Sequence, residues 1–348
     1  MPADKPNDAS IPMLSVRDLT THFPVGGGLL SRLTGKKRQV VHALDGVSLD
    51  IMPGQTLAVI GESGSGKSTL GRTLLRLQEP TSGSIFFEGR DITHIGREEL
   101  RQLRRRMQMI FQNPYSSVNR RNRLIDIISE PMLVHRIGDR ESRQRRALEL
   151  LEMVGLNPDF AYRYPHEVSG GQLQRVGIAR ALATNPSFLV ADEPTASLDV
   201  SVRAQVMNLL KDLKAELGLT LMFISHDLGT VSYIADQIAV MYLGRIVEVG
   251  TKQQLETAPQ HPYTQALFKS VPKPNPRLRG QEAPPVGEVP SAINRPSGCH
   301  YHPRCPLATE LCRTTYPALE VKVGGQKAAC HAVPAASAPA GAAPVGQV

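Results

Sequence analysis

The stretch TLAVIGESGSGKST, residues 56–69, decides how the rest of the chain is interpreted. Its first five residues are apolar and predict a short buried strand, and a helical pattern begins at Lys67. Between strand and helix, GESGSGKST fits the pattern GxxxxGK[ST], which is specific for a phosphate-binding loop in this context. The sequence therefore predicts a nucleotide phosphate site at the end of this strand.

Each residue type in the loop serves the binding of phosphate. Glycines let backbone N–H groups close around phosphate oxygens, Lys67 neutralises the β- and γ-phosphate charge, and the Ser68 hydroxyl is a ligand for Mg²⁺. The predicted nucleotide-binding residues of the loop are Gly61, Glu62, Ser63, Gly64, Ser65, Gly66, Lys67, Ser68 and Thr69.

A second motif, FLVADE at residues 188–193, supplies acidic partners for the loop. Asp192 ends an apolar strand and can hold Mg²⁺, and Glu193 can orient or deprotonate an attacking water. Gln112 and His226 also follow apolar runs, so they can contact Mg²⁺, the water or the terminal phosphate. Alone, such residues would be helix caps or structural groups; beside the loop they are predicted to be catalytic, with Ser68, Gln112 and Asp192 around Mg²⁺.

A glycine turn in EVSGGQLQRV, residues 167–176, has the features of only half a phosphate site. The candidate residues of the turn are Ser169, Gly170, Gly171 and Gln172. Unpaired N–H groups at a helix start favour an anion. No lysine follows at the spacing of a complete site, so the phosphate's other contacts must come from elsewhere.

The order of apolar segments predicts an α/β fold. Residues 14–23 alternate like a strand, and Asp45–Gly46 is predicted to turn the chain, after a Gly-rich basic excursion at 26–38, into the apolar run 47–52. Apolar strands recur at 188–191, 220–224 and 237–242, separated by helix-length segments. This alternation predicts a parallel sheet covered by helices on both faces.

Composition limits the class of protein without deciding its partner. The chain has 348 residues, a formal charge of +8, no apolar run long enough for a membrane span and no signal pattern at its start. We therefore expect a cytosolic chain. Its arginine clusters at 101–106, 120–123 and 140–146 are typical of solvated helix faces, of nucleic-acid sites or of sites for anionic lipid.

The ordered set GESGSGKST, Gln112, VSGGQ, ADEPTASLD and His226 resembles the nucleotide-binding subunit of ABC transporters. The resemblance covers about residues 14–250. It implies a P-loop NTPase domain at 12–258, with a RecA-like parallel sheet core, an antiparallel β subdomain and an α-helical subdomain at about 97–185. It also implies ATP and Mg²⁺ as ligands.

In that family two ATPase subunits pair head to tail. The resemblance therefore implies that Ser169, Gly170, Gly171 and Gln172 hold the γ-phosphate of the ATP bound by the partner, with Asp199 along the same interface. It also implies an aromatic residue that stacks on adenine, for which Phe23 is the candidate; core packing is the alternative role of Phe23.

Further segments are similar to the dipeptide and oligopeptide importer ATPases: FQNPYSSVN, RYPHEVSGGQ, SLDVSVRAQV, MYLGRIVEVG and HPYTQAL. Val168 and Arg120 depart from the usual leucine and proline of these proteins. The resemblance implies an energy-coupling ATPase at the cytoplasmic face of the inner membrane. Its partners would be a second, paralogous ATPase, two transmembrane permease subunits and a solute-binding protein. A haem precursor, a nickel complex or glutathione remain alternative cargoes.

ATPases of DNA repair, chromosome structure and translation share these ATP motifs and form the competing class. Repair and chromosome ATPases insert long coiled coils between the phosphate loop and the glycine turn. Here about a hundred residues intervene without sustained heptads. Translation factors carry two cassettes, whereas this chain has one set of motifs. We therefore expect no nucleic-acid partner.

The C-terminal part has a different composition. A Pro-rich connector is predicted at 259–297, a small cysteine-rich domain at 298–332 and a disordered tail at 333–348.

Cys299, Cys305, Cys312 and Cys330 lack the close pair that is usual for zinc, and four thiolates suit a [4Fe–4S] cluster. The resemblance to peptide importers points to the same cluster. The alternatives are reduced structural thiols, or zinc with His300, His302 or His331 among its ligands.

Overall fold

The computed structural model of the chain describes residues 11–26, 39–270 and 287–336. The strands are β1 (Leu14–Val25), β2 (Gln39–Ile51), β3 (Thr56–Ile60), β4 (Ser82–Phe87), β5 (Arg90–Asp91), β6 (Met107–Ile110), β7 (Phe188–Asp192), β8 (Thr220–Ile224), β9 (Gln237–Tyr242), β10 (Arg245–Thr251), β11 (Glu320–Val321) and β12 (Lys327–Ala328). The α-helices are α1 (Lys67–Leu74), α2 (Arg97–Leu103), α3 (Leu124–Val134), α4 (Arg140–Met153), α5 (Gly170–Leu182), α6 (Val200–Leu217), α7 (Leu228–Ile234), α8 (Lys252–Thr257), α9 (Pro262–Lys269) and α10 (Glu310–Thr314).

The N-terminal strands form a four-stranded sheet in the order β2-β1-β4-β5. All its pairings are antiparallel, which confirms the expected antiparallel β subdomain. The predicted turn at Asp45–Gly46 is wrong, because β2 runs through these residues as one strand. Three residues of β1, from Leu19 to Thr21, face four of β2, from Leu44 to Val47, so the glycine, with φ +69°, lies in a β-bulge.

The main sheet has the order β11-β12-β10-β9-β3-β8-β7-β6. The five strands from β9 to β6 are parallel, as the alternation of strands and helices predicts. Alternate residues of β3 enter different apolar clusters, Leu57 and Val59 on one face and Ala58 and Ile60 on the other. Because both faces are covered, most residues of these strands are apolar.

The helical subdomain occupies less of the predicted range 97–185 than expected. Helices α3, α4 and α5 pack together through residues such as Ile128, Leu150 and Val176, all fully buried. The same range contains β6, which pairs in parallel with β7 at the edge of the main sheet. A four-residue strand that contains Gln108 and directly follows three arginines gives too weak a strand signal to be separated from the helical pattern.

The cysteine-bearing segment packs onto the ATPase domain instead of folding apart from it. Strand β12 pairs with β10 through Glu248↔Ala328 and Val249↔Lys327, and so extends the main sheet. Tyr301 belongs to the main apolar cluster, and Cys299 packs against it. The expected separate domain at 298–332 is therefore corrected to an appendage of the main sheet.

Part of the expected connector is also ordered, because its first residues form α9. Residues 27–38 of the predicted excursion fall outside the described residues, as do residues 271–286 of the connector and residues 337–348 of the tail. Of the tail, Ala335 lies in an antiparallel bridge with Lys322. Among the described helices, none combines the length and apolar character needed to cross a bilayer.

Candidate functional site

The phosphate loop connects β3 to α1 at the carboxyl edge of the parallel strands. Two of its glycines are required by close backbone approaches. A Cβ on Gly61 would lie 2.2 Å from the Met241 carbonyl oxygen, and one on Gly66 would lie 2.3 Å from the Ala43 carbonyl oxygen. Both have positive φ angles, +150° and +103°. The loop can therefore adopt this shape only with glycine at these positions.

Lys67 begins α1 and is buried inside the loop. Its Nζ donates to the carbonyl oxygens of Gly61 at 2.8 Å and Glu62 at 2.9 Å. Burial lowers the pKa of Lys67, while the nearby carboxylates of Glu193 and Asp192 act in the opposite direction. The lysine is thus a desolvated cation among acceptors, an arrangement that favours binding an anionic phosphate.

The Ser68 hydroxyl donates to Asp192 Oδ1 at 2.7 Å. Asp192 is 1% exposed, and its Oδ2 is a buried atom without a hydrogen-bond partner. Burial raises the pKa of this carboxyl. A buried acceptor beside a serine hydroxyl fits the oxygen ligands that Mg²⁺ prefers.

Glu193 lies between the two other predicted catalytic residues. Its Oε2 accepts from Gln112 Nε2 at 2.8 Å, and its Oε1 lies 3.1 Å from His226 Nδ1. Its backbone has φ +46°, an uncommon conformation that is held by a hydrogen bond from its N–H to the Ile224 carbonyl oxygen. Non-glycine residues in this region are strained and cluster at functional sites.

These side chains line a pocket of about 610 Å³. Its walls include Ser63, Lys67, Ser68, Gln112, Glu193 and His226, so the structure brings the predicted loop and catalytic residues together. Phe23, Val41, Ala43 and Ala292 also line the pocket. Ala292, which follows the Pro-rich stretch, carried no sequence signal; its carbonyl accepts the His42 N–H.

The predicted glycine turn is not part of this pocket's lining. Ser169 is the N-cap of α5 and forms a capping box with Gln172. A Cβ on Gly171 would lie 2.4 Å from Val202 Cγ1 of α6, whereas one on Gly170 would meet no atom within 4 Å. The turn is therefore open at Gly170 and packed tightly against Val202 of α6 at Gly171.

Asp199 is exposed and is the N-cap residue of α6. The next residue, Val200, is 79% exposed, which is unusual for valine. Because Val202 of the same helix packs on Gly171, the Asp199 and Ser169 ends of α6 and α5 lie side by side. The structure thus groups Asp199 with the glycine turn, away from the lining of the pocket.

Glu62 of the phosphate loop is bound by two residues that the sequence did not indicate. Arg304, from the cysteine-bearing segment, donates to both carboxylate oxygens at 2.8 and 3.0 Å. The Glu62 N–H donates to the Tyr263 hydroxyl of α9 at 2.8 Å. These partners are separated from Glu62 by more than 200 residues, so no local pattern could have revealed them.

The four cysteines lie close enough for each to influence another's ionisation. Burial raises the pKa of Cys299 to about 11, and the charges of Cys312, Cys305 and Cys330 act in the same direction. Backbone N–H groups face three of the sulfurs: Tyr301 faces Cys299, Leu307 faces Cys305, and Ala332 and Val333 face Cys330. His302 Nδ1 and His331 Nε2 instead contact backbone carbonyl oxygens.

Comparison with known proteins gives matches over nearly the whole chain. Residues 44–196 match the family described as ABC transporter, and residues 247–312 match the oligopeptide/dipeptide transporter, C-terminal region. A probable peptide ABC transporter ATP-binding protein of Sinorhizobium fredii is 50% identical over 94% of this chain and 92% of its own length. The oligopeptide transport ATP-binding protein AppF of Bacillus subtilis is 47% identical, over 92% and 97%. The dipeptide transport ATP-binding protein DppF of Haemophilus influenzae is also 47% identical, over 92% and 96%.

Solved structures resemble the cassette part of the chain. A dimeric post-hydrolysis state of the ATP-binding cassette MJ0796, bound to ADP and Pi, has a TM-score of 0.61 and 30% identity, over 69% of this chain and 99% of that one. CbiO1 from Clostridium perfringens, part of the ABC transporter complex cbiONQ, has a TM-score of 0.59 and 28% identity, over 70% and 90%.

Proposed function

This chain belongs to the ABC transporter family of ATP-binding proteins and hydrolyses ATP, and we propose that it powers a membrane importer of dipeptides or short oligopeptides. One observation carries this proposal: likeness to relatives named for peptide, oligopeptide and dipeptide transport extends over more than nine tenths of the chain. The likeness includes residues 247–312, which match the family described as oligopeptide/dipeptide transporter, C-terminal region.

The geometry of the pocket is consistent with hydrolysis of the γ-phosphate by an activated water. Glu193, held by Gln112 and His226, takes the proton of the water as its oxygen attacks phosphorus and the bond to the β-phosphate oxygen breaks. Lys67 neutralises charge on the β- and γ-phosphates. Mg²⁺, when bound, adds positive charge at these oxygens, and Ser68, Asp192 and Gln112 are the residues that would hold it.

We propose that a second ATPase subunit completes each site. The turn at Ser169 and the exposed end of α6 at Asp199 and Val200 would face the pocket of that subunit, which would be a paralogue in a heterodimer. The support is that the turn does not line its own pocket and that solved relatives are dimeric. Phe23, which lines the same pocket, would stack on adenine.

The permease partners would contact a groove between β6 and α3. This groove, of about 390 Å³, is lined by Phe111, Pro114, Val134 and Gln174 among others. Leu77 and Val134 at the groove and Leu133 beside it are 48%, 53% and 59% exposed, so apolar surface is available to a partner. With two permease subunits and a solute-binding protein, the chain would act at the cytoplasmic face of the inner membrane.

A transport assay in proteoliposomes, with the complete complex, tests the cargo. We expect a labelled dipeptide to accumulate when ATP is present on the side of this chain, and the variant Glu193→Gln to abolish uptake. A complex that transports a haem precursor, a nickel complex or glutathione in place of peptides would refute the proposed cargo and leave the ATPase assignment intact. Hydrolysis stimulated by nucleic acid would instead favour the competing class.

We also propose that the four cysteines hold a [4Fe–4S] cluster. The donor set fits, because the charges of Cys305, Cys312 and Cys330 all act on Cys299 and backbone N–H groups face three of the sulfurs. Burial raises the pKa of Cys299, Cys305 and Cys330 and so disfavours free thiolates there, and a bound cation would be needed to keep them deprotonated. His302 and His331 each direct a ring nitrogen to a carbonyl oxygen, which favours thiolate ligands over these two histidines. His300 Nδ1 is buried without a hydrogen-bond partner, so His300 is the histidine ligand of the alternative zinc site.

Protein purified without oxygen tests the cluster. We expect a brown preparation with about four iron per chain, and loss of the colour in Cys312→Ser. A colourless protein that contains zinc would support the mixed cysteine and histidine site. A metal-free protein with four titratable thiols would support reduced structural cysteines.

A further inference from the structure

An arginine of the C-terminal segment is buried against the phosphate loop. The Arg304 side chain is 4% exposed, and the Glu62 side chain that it binds is 21% exposed. Both guanidinium Nη atoms contact the carboxylate, and Nη1 also lies 3.3 Å from the Tyr242 hydroxyl. The hydrogen bond to Glu62 raises the pKa of Arg304. Such a bidentate ion pair, largely shielded from solvent, is stronger than an ion pair on the surface.

Glu62 also contacts Lys67, the residue that is proposed to bind phosphate. Its carbonyl oxygen accepts from Lys67 Nζ at 2.9 Å, while its N–H donates to the Tyr263 hydroxyl at 2.8 Å. Side chain, N–H and carbonyl of one residue are therefore fixed by three elements: the cysteine-bearing segment, α9 and α1. A change at Arg304 reaches Lys67 through a single intervening residue.

The charge of Glu62 presents a difficulty for the binding of ATP. A carboxylate inside a phosphate loop repels a triphosphate, and the repulsion is strong where water is excluded. Arg304 cancels that charge and keeps the carboxylate engaged with the C-terminal segment. Without the arginine, the loop would carry an uncompensated negative charge that acts on Lys67, and it would lose one of its fixed contacts.

We propose that Arg304 is a positioning residue for ATP binding, which neutralises Glu62 and holds the phosphate loop in shape from the cysteine-bearing segment. The proposal concerns the ATP site alone and is independent of the cargo. It gives the C-terminal segment a role in the ATPase itself: the turn that carries Arg304 also carries Cys305, so the nucleotide pocket and the cysteine cluster are joined by one ion pair.

Equilibrium binding of a fluorescent ATP analogue to the full chain tests the pair. In Arg304→Gln we expect the Kd to rise about tenfold, since one charge of a buried pair is left uncompensated. The KM for ATP should rise in parallel, while kcat at saturating ATP stays within about twofold because Glu193 and its partners are untouched. Arg304→Lys, which keeps the charge but not the two-pronged contact, should lie between parent and Arg304→Gln.

The double variant Glu62→Gln with Arg304→Gln tests whether the charge of Glu62 causes the loss of ATP affinity. Removing the carboxylate removes the repulsion, so ATP affinity should return to within about threefold of the parent. Arg313→Gln, an exposed arginine of the same segment, is the matched control and should bind ATP like the parent.

Two results would overturn the proposal: an unchanged Kd in Arg304→Gln, or a double variant that binds ATP as weakly as Arg304→Gln. Thermal unfolding without nucleotide separates misfolding from weak binding. If Arg304→Gln does not fold, Arg304→Lys with and without Glu62→Gln carries the same comparison.

Discussion

The phosphate loop and the glycine turn at Ser169 are both built to meet phosphate, yet they differ in charge and burial. The loop contains a buried lysine, with Asp192 and Glu193 nearby. The turn has only neutral groups, lies at an exposed helix start and is absent from the pocket lining. A neutral turn cannot compensate a triphosphate by itself, because N–H groups supply only partial charges.

We infer from this difference that two surfaces of the chain have separate roles. The phosphate loop compensates the charge of the phosphates, and the glycine turn only contacts a phosphate. We propose that the loop binds the nucleotide and that Glu193, which follows β7, is the base for the water. The turn, together with Asp199, is suited to contact a phosphate that another subunit has already bound. The following variants damage one surface and leave the other intact.

The largest effect is expected at the base. Glu193→Gln should lower kcat about 1,000-fold, since the amide cannot accept the proton of the water, while ATP still binds to the loop. The variant should accumulate as ATP-bound dimers, measurable by size-exclusion chromatography with light scattering. Hydrolysis at the parental rate would show that Glu193 is not the base.

Gly170→Asp breaks the turn without touching the loop. A Cβ there meets no atom within 4 Å, so the fold should tolerate the change, but a carboxylate would face the phosphate. We expect ATPase activity to fall about 100-fold, as when a donor to a transition-state oxygen is lost, with ATP affinity of the loop unchanged. Gly96→Asp, another open glycine at a helix start, is the control and should retain activity. Equal losses in both variants would remove the special role of the turn.

Acid should destabilise the helix α9, whose Tyr263 contacts the phosphate loop. Burial lowers the pKa of His261 from 6.5 to about 3, so below pH 6.5 the unfolded chain binds a proton that the folded chain does not. The free energy of unfolding should therefore fall as the pH drops from 6.5 toward 3, by about 2 kcal/mol at pH 5. His261 caps α9, which carries Tyr263, so the loop depends on this group.

Urea unfolding at pH 7.5 and pH 5 measures this loss. In His261→Asn, which keeps a side-chain acceptor for the cap, the part due to His261 should disappear. A pH dependence identical to that of the parent would show that His261 is protonated as easily in the folded chain as in the unfolded one.

The smallest effect is expected at Phe23. Phe23→Ala should raise the KM for ATP about fivefold through lost stacking, with little change in kcat or thermal stability. Val25→Ala, an exposed residue on the same strand, is the control. An unchanged KM together with a lower melting temperature would assign Phe23 to packing.

The sequence could predict residues whose role follows from local spacing. The loop at Gly61–Thr69, Asp192 and Glu193 after β7 and His226 after β8 occupy the expected strand ends, because parallel strands bring their carboxyl ends to one edge. The contacts of Arg304 and Ala292 could not be predicted, since they depend on how the C-terminal segment docks. The bulge at Asp45–Gly46 was missed because the same dipeptide is also favoured in turns.

Mixing two inactive variants tests the division between loop and turn most directly. Lys67→Ala removes the charge of the loop, and Gly170→Asp blocks the turn. Without the paralogue, an isolated parent that hydrolyses ATP does so by pairing with itself. If the two surfaces serve different pockets, an equimolar mixture of the two variants then contains mixed dimers with one intact pocket, and about a quarter of the parental ATPase activity should return. If the mixture stays as inactive as each variant alone, under conditions in which the parent hydrolyses ATP, loop and turn do not act across a dimer and the account is contradicted.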